Sequence, residues 1–450
     1  MVVAGAVPYF RPLFFSGRQG LNPESSQTRT NRVQFCPRTM PYRYVGDAWE
    51  AGMRNKTGTP VRKGDFLNRE EDVRELWHQA ERGHVLMLAA RRVGKTSLLL
   101  HLKDSPQEGW SCFFLSAEAL ESEAQFVARF LEVLAEAHPD GAWVDRLGVK
   151  TKRILKGVRT KAGPLELDLT EALRDGWREE GAVALKVMRE LRGNTLILVD
   201  EFPNLVRNLH GRADSPEGRH RTKLFLDWFR EVRNAHTDGS NPIHFILTGS
   251  LGLDVVVKAA GLSRTINDLT VFSLGPLMAD LPRELLRRLS EGEGLVLPVP
   301  VEERILKLID WPIPFNLQLL FSEVLKRAKF GRSPKPLTES LVQEAYEFLL
   351  SPAMDKHFSH WVERLDDPFE KPQERDLKRG LLRAAARDRN GLSRSSIQQL
   401  RVALAPDVDA NTILLGLDRD GYLAYRDGRW RFASSLLRDW WRKWQLNERT

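Results

Sequence analysis

The stretch Ala89-Ala-Arg-Arg-Val-Gly94-Lys95-Thr96 has the residue types and spacing of a phosphate-binding loop. It lies between an apolar run, Val85–Leu88, and the helical pattern Ser97–Lys103. In such a loop, backbone N–H groups and the helix N-terminus cradle the α- and β-phosphates of a nucleoside triphosphate. Lys95 then reaches the β- and γ-phosphates, and the Thr96 hydroxyl ligates Mg²⁺. Ala89 stands where such loops ordinarily carry their first glycine. A basic turn with no ligand would not need Gly-Lys-Thr in that order. Ala90, Arg91, Arg92, Val93, Gly94, Lys95, Thr96 and Ser97 are therefore the candidate nucleotide contacts.

Two further tips complete the chemistry. The apolar run Thr195–Val199 ends in Asp200-Glu201. A carboxylate there holds Mg²⁺ through water, and the next one orients or deprotonates the attacking water. A strand that merely ends in acids at a turn is the plainer alternative. The run Ile243–Thr248 leads to Gly249-Ser250, where a polar side chain could touch the γ-phosphate or the lytic water. The candidate catalytic set is Lys95, Asp200, Glu201 and Ser250, with Thr96 and Asp200 for Mg²⁺. Arg230 and Arg233 end the helical pattern 221–233 just before the last of these tips. Either they reach a neighbouring subunit's phosphate, or they are cations at a helix C-terminus.

These tips need a parallel sheet to bring them together. The apolar runs predict strands at Val85–Leu88, Ser111–Ser116, Thr195–Val199, Ile243–Thr248 and Leu269–Leu274. Helical patterns fall between them at Ser97–Lys103, Glu121–Glu136, Glu171–Arg192 and Arg221–Arg233. That alternation reads as an α/β fold with a parallel sheet. Residues 281–328 read as helices broken by Trp311-Pro-Ile-Pro314, and Phe315–Lys329 and Leu337–Arg364 as further helix. Arg332–Pro336 and Asp366-Asp-Pro368 look like joints.

The 450 residues exceed one compact domain, so two or three are expected. The division read here is a disordered extension over 1–39, an ATPase domain over 40–277, a helical lid over 278–365 and a C-terminal domain over 366–450. With 42% hydrophobic and 28% charged residues the chain reads as soluble and globular. No apolar stretch approaches the ~20 residues of a membrane helix, and the N-terminus lacks a charged start and a cleavage site. Two cysteines, Cys36 and Cys112, make no disulfide framework and fit a reducing cytoplasm. The net charge of +8 sits at the ends: residues 1–40 hold 5 Lys and Arg against 1 acid, and 371–450 hold 17 against 10. Residues 150–161 carry six cations and no acid, either a solvated face or a contact for a polyanion.

The last 75 or so residues read helix (376–388), helix (393–402), helix (410–420), hairpin, helix (434–445). Asp427-Gly428 between Leu423/Tyr425 and Trp430/Phe432 marks the hairpin turn. Three helices and a two-stranded wing form a winged helix-turn-helix. Its third helix offers one Arg (Arg419) against Asp418 and Asp420, a poor surface for phosphates. Arg426, Arg429 and Arg431 on the wing are better placed for DNA, and Arg375, Arg379, Arg383 and Arg387 line one side of the first helix, either a solvated face or a phosphate track. The Trp440, Trp441 and Trp444 cluster reads as core packing.

From about Gly64 onward the chain resembles the prokaryotic STAND-type and archaeal-type ATPases, relatives of the AAA+ and origin-recognition ATPases. Phe66-Leu-Asn68-Arg69-Glu70-Glu-Asp72 is similar to the family's hydrophobic-hydrophobic-Gly-Arg-Glu-x-Glu motif, with Asn68 at its glycine and Asp72 at its last glutamate. Ala89–Ser97 resembles its Gly-Pro-Arg-Arg-Val-Gly-Lys-Thr-Ser loop. Leu196–Glu201 matches its Mg²⁺ strand and Leu247–Ser250 its sensor strand. Pro312–Leu320 resembles its Gly-x-Pro segment, with Pro312 at the glycine and Pro314 at the proline. The resemblance implies a P-loop NTPase sheet of the AAA+ kind with a helical lid and a winged helix. It implies that Arg69 abuts the adenine and that Pro314 lies against the nucleotide. It further implies a switch that holds ATP or ADP with Mg²⁺, hydrolyses slowly, often assembles when ATP-bound and controls a protein partner. The competing expectations are a DNA-binding ATPase and a nucleotide-binding scaffold without catalysis. No Asn-Lys-x-Asp motif for guanine is present.

Overall fold

Apolar runs with β-branched and aromatic residues form a five-stranded, wholly parallel sheet at the centre of the computed structural model. The strands are β1 His84–Leu88, β2 Trp110–Ser116, β3 Asn194–Asp200, β4 Ile243–Gly249 and β5 Leu269–Ser273, in the order β2-β3-β4-β1-β5. The structure describes residues 52–446 apart from 68, 138–141, 148, 150, 153–169, 191–192, 212–214, 236–240, 250–252, 254–256, 259, 331–334 and 366–369. The extension expected over 1–39, the basic run at 150–161 (Thr151 and Lys152 excepted), both expected joints in large part, Asn68 and Ser250 lie outside the described residues.

Alternation along each strand divides the core between the two faces of the sheet. Val85, Met87, Leu196, Leu198 and Ile246 enter one apolar cluster, and Leu86, Ile197, Val199, Phe245 and Leu247 the other. The second cluster is closed by α3 Glu123–Ala137, α4 Trp177–Glu190, α5 Phe202–His210 and α6 Pro216–Asn234. On the first face lie α1 Glu70–Ala80 and α2 Lys95–Asp104. That cluster continues through α7 Leu281–Gly292, α8 Val299–Leu308, α9 Pro314–Phe330 and α10 Glu339–Leu349. It runs on through the short α11 Ser359–Glu363 to the C-terminus. Cys112 sits half-buried on β2, and burial pushes its thiol up to about 12.

The five strands fall within a residue or so of the sequence expectation; the helices differ more. α6 begins at Pro216, five residues ahead of the expected Arg221, because Ser215 caps it, its Oγ accepting from the Gly218 amide at 3.0 Å. α5 was not expected at all: it starts directly after Glu201, and Pro203 in its first turn looks like a breaker in sequence. At the C-terminus, α12 Pro372–Arg387, α13 Arg394–Leu404 and α14 Ala410–Arg419 precede the antiparallel pair β6 Leu423–Arg426 and β7 Arg429–Phe432. α15 Ser435–Gln445 closes the module. Asp427 (φ 50°) and Gly428 (φ 75°) both take the positive φ that a two-residue hairpin turn demands. Trp440 and Trp441 are buried as expected.

Candidate nucleotide site

The parallel order puts β4 between β3 and β1, so three loops open side by side at the carboxyl end of the sheet. β1 runs into the phosphate loop, β3 ends at Asp200, and β4 ends at Gly249, paired with Leu88. Gly94 takes φ 105° to turn the chain into α2; an added Cβ would meet nothing within 4 Å, so it is the backbone angle that requires glycine. Ala89 is absent from the positive-φ positions, so its methyl group costs no left-handed strain there. Arg92, with φ 66°, does carry such strain.

Lys95 is buried at the start of α2, and its Nζ donates to the carbonyls of Ala89 (3.2 Å) and Ala90 (3.1 Å). Burial lowers its pKa to about 8 against the pull of Glu201 and Asp200. At the next residue, the Thr96 hydroxyl donates to Asp200 Oδ2 at 2.6 Å, joining residues 104 apart in sequence. Burial raises the Asp200 carboxyl, while the Thr96 hydrogen bond holds it down. Glu201 follows at φ 55°, a left-handed turn that sets its side chain at the head of α5, 3.5 Å from Asn204 Nδ2. A hydroxyl and a carboxylate in contact beside a buried ammonium form an oxygen donor set that suits Mg²⁺ with a polyphosphate.

The remaining expected contacts divide. Arg69 is buried and spans loops: Nη1 donates to Val93 O (3.2 Å), Nη2 to Gly275 O (3.0 Å), and Nε pairs with Asp72 at 2.6 Å. It ties the phosphate loop to the chain leaving β5. Ser97 Oγ is engaged away from the loop, accepting from the Val61 amide at 3.0 Å. Arg91 is half-buried beside Lys95 and helps to lower its pKa. Pro314 is the first residue of α9, next to Phe315. Arg233, read either as a finger for a neighbouring subunit or as a cation at a helix C-terminus, lies in the last turn of α6 and is interior. Its guanidinium holds Asp268 in two bonds (3.0 and 3.1 Å), donates to Thr265 O (2.9 Å) and lies 4.6 Å over the Phe229 ring. A residue so held cannot reach outward.

Contacts from the second half of the chain, which spacing did not reveal, enclose the loop. Arg92 lies 3.8 Å over the Phe315 ring and donates to the His357 carbonyl at 3.0 Å, 265 residues away. Burial brings its pKa down to about 10. Gly421, at φ 82° after α14, packs onto Ala90 and Trp311: a Cβ there would come within 2.7 Å of each. The only available signal in sequence was a glycine at a helix C-terminus, which says nothing about what it touches.

Comparison with solved structures agrees with this architecture. A Walker-type ATPase of Pyrococcus abyssi is 20% identical, covers 86% of this chain and 99% of its own, and superposes with a TM-score of 0.54. An ORC2 protein of Aeropyrum pernix, solved with ADPNP and ADP, is 15% identical, with coverages of 88% and 98% and a TM-score of 0.47. The RuvB Holliday junction branch migration motor of Thermotoga maritima is 13% identical, with coverages of 83% and 94% and a TM-score of 0.37. No protein-family model and no curated protein matches the chain. The sheet order and the first of these likenesses give the fold: a parallel five-stranded α/β sheet like that of the Walker-type ATPase, followed by helices.

Proposed function

We propose that this chain is an ATP-binding, slowly hydrolysing switch of the STAND/AAA+ kind. The observation that carries the reading is the Thr96–Asp200 hydrogen bond beside buried Lys95, which joins the two halves of the nucleotide signature across the sheet. In this reading Lys95 turns from the Ala89 and Ala90 carbonyls to the β- and γ-phosphates, and Thr96 and Asp200 hold Mg²⁺. Bound Mg²⁺ would offset charge on the phosphate oxygens. Glu201 orients and deprotonates the attacking water, and Ser250, next in sequence after β4, touches the γ-phosphate or that water. Arg69 acts on the nucleotide indirectly, by fixing the Val93 carbonyl. The switch character is supported by Arg92 and Gly421, since the lid and the C-terminal module both bear on the loop that changes when phosphate binds or leaves.

The C-terminal module, read as a winged helix, serves better as a closure on the loop than as a reader of DNA. Arg429 and Arg431 donate to the carbonyls of Gly391 (3.1 Å) and Asn390 (3.0 Å), and Arg426 to Ala433 O (3.4 Å). The outer face of α14 presents Asn411, Thr412 and Leu415, with no cation among them. The test is calorimetry and phosphate release on purified protein. Lys95→Ala abolishes Mg²⁺-dependent ATP binding, and Glu201→Gln lowers turnover at least a hundredfold while binding persists. A wild-type chain that binds no adenine nucleotide overturns the reading, and turnover unchanged by Glu201→Gln removes its catalytic half.

A further inference from the structure

Between two apolar anchors, Met53 (2% exposed) and Phe66 (7% exposed), the chain crosses from the lid to α2 as a strap. Its upstream end lies against the C-terminus of α7, where a Cβ on Gly52 would come within 2.3 Å of the Gly292 Cα. On the lid side Asn55 Nδ2 donates to Gln318 O of α9 at 3.2 Å. Gly58 touches Phe315, an added Cβ standing 4.0 Å from its Cε2, and the face of that same ring carries Arg92 of the phosphate loop. On the other side the Val61 amide donates to Ser97 Oγ at 3.0 Å and Arg62 Nε to Asp104 Oδ2 at 2.8 Å. The Phe66 ring stacks on His101 with centroids 4.5 Å apart. Ser97, His101 and Asp104 all belong to α2, and Ser97 directly follows Lys95 and Thr96. The strap therefore bridges α2 and the first turns of α9 beside the residues read above as phosphate contacts.

One carboxylate closes it. Asp65, 7% exposed, accepts from the Arg54 amide at 2.9 Å, from Arg54 Nε at 3.1 Å and from Lys56 Nζ at 2.7 Å. These partners lie at the far end of the strap, so Asp65 closes residues 54–65 on themselves. Little else secures them: Asp65 is the one buried residue of that stretch. A segment with so little buried apolar surface opens at the low end of the local-stability range, without unfolding the core on which it lies. Lys63, at φ 53°, adds a left-handed residue whose strain is relieved on opening.

We propose that residues 54–65 are a gate for nucleotide exchange, latched by Asp65 and lifted about the anchors Met53 and Phe66 while lid and phosphate loop stay in place. Resting on the nucleotide-binding reading, this gives control of exchange to a segment that lies outside every motif of the site. Because the latch partners of Asp65 are all within the strap, breaking the latch changes how often the gate opens and leaves the site itself as it was. Arrival and departure of nucleotide then speed up together.

The experiment is stopped-flow binding and chase of a fluorescent ADP on the full chain. Asp65→Asn keeps the size of the side chain and removes its charge. Its association and dissociation rate constants both rise about tenfold, so that Kd stays within about twofold of wild type. Trypsin reports the same opening, since Arg54, Lys56, Arg62 and Lys63 all lie in the strap; cleavage there is faster by the same factor. If Asp65→Asn does not fold, Arg62→Gln decides: it frees the strap from Asp104 on α2, and both rate constants again rise together. Faster release with unchanged arrival would make the strap a nucleotide contact and overturn the gate, as would wild-type rate constants in both variants. If Lys95→Ala abolishes ADP binding while the strap variants exchange as wild type does, this inference alone falls. A wild type that binds no adenine nucleotide takes both readings down.

Discussion

Lys95 is a buried cation whose hydrogen-bond partners among the described residues are two carbonyl oxygens, with the carboxylates of Asp200 and Glu201 acting on it through space. Desolvation outweighs that attraction and leaves its folded-state pKa near 8, below the ordinary value of 10.5. The sign of the consequence is fixed. Between pH 8 and about 10.5 the unfolded chain binds more protons than the folded one, so stability rises with pH across that window. Below it the lysine is charged in both states and the folded chain bears the full desolvation cost. Urea midpoints of the nucleotide-free protein should therefore rise for wild type relative to Lys95→Met between pH 8 and 10. A parallel pair of pH profiles would show that the ammonium is not desolvated. The same cost is what a bound polyphosphate would offset, so at this residue weak apo stability and nucleotide affinity have one cause.

At the scale of single elements, the turn after α14 is the joint where sequence and site meet. Gly421 needs its hydrogen twice over: φ is 82°, and a Cβ would stand 2.7 Å from Ala90 Cβ and from the Trp311 ring. Gly416, one turn earlier inside α14, has ordinary helical backbone and nothing within 4 Å. Gly421→Ala is expected to cost about 1–3 kcal/mol and to weaken nucleotide binding through Ala90, while Gly416→Ala stabilises by about 0.5–1 kcal/mol. Thermal melts of the two variants separate the claims, and equal effects would sink the close-approach argument. The contrast also shows what could be read in advance. Strand runs such as Thr195–Val199, the Gly94-Lys95-Thr96 turn and the Asp427-Gly428 hairpin announce themselves because the forces that shape them act within a few residues. α5 stayed hidden because Pro203 reads as a breaker, and a proline in a helix's first turn is compatible with either structure. The partners of Arg69, Arg92 and Arg233 stayed hidden for another reason. A guanidinium is the same side chain whether it meets phosphate, a Phe315 ring or Asp268, and only the folded chain decides among them.

For the molecule as a whole, the question is which parts can move when the phosphate loop changes. One apolar cluster runs from Val85 and Met87 on the sheet, through Leu317 and Val324 of the lid, to Trp440 and Trp441 at the C-terminus. Lid and C-terminal module are further tied by polar bonds. Tyr346 donates its hydroxyl to Asp439 at 3.0 Å, Trp444 Nε1 to Leu350 O at 3.0 Å, and the Ser435 amide and hydroxyl to Asp310 at 2.8 and 2.6 Å. The phosphate loop enters the same cluster through Ala89, Ala90 and Val93, and its polar and close-approach ties to this body include the Arg92 bonds and the Gly421 contact. On the proposed switch reading, a nucleotide-driven change would shift lid and C-terminal module together across the loop, and would not peel the module from the lid. This has a thermodynamic counterpart. Trp440 is 1% exposed and stacks on Phe358 at 5.5 Å, so Trp440→Ala removes a large side chain from the centre of the shared core and is expected to cost about 3–5 kcal/mol. If lid and module are one body, the variant melts earlier but still in a single transition, coincident by tryptophan fluorescence and far-UV circular dichroism. An early separate transition confined to the fluorescence signal would mean that the C-terminal module unfolds by itself. The lid would then be free to move without it, and the closing contact at Gly421 would lose its lever.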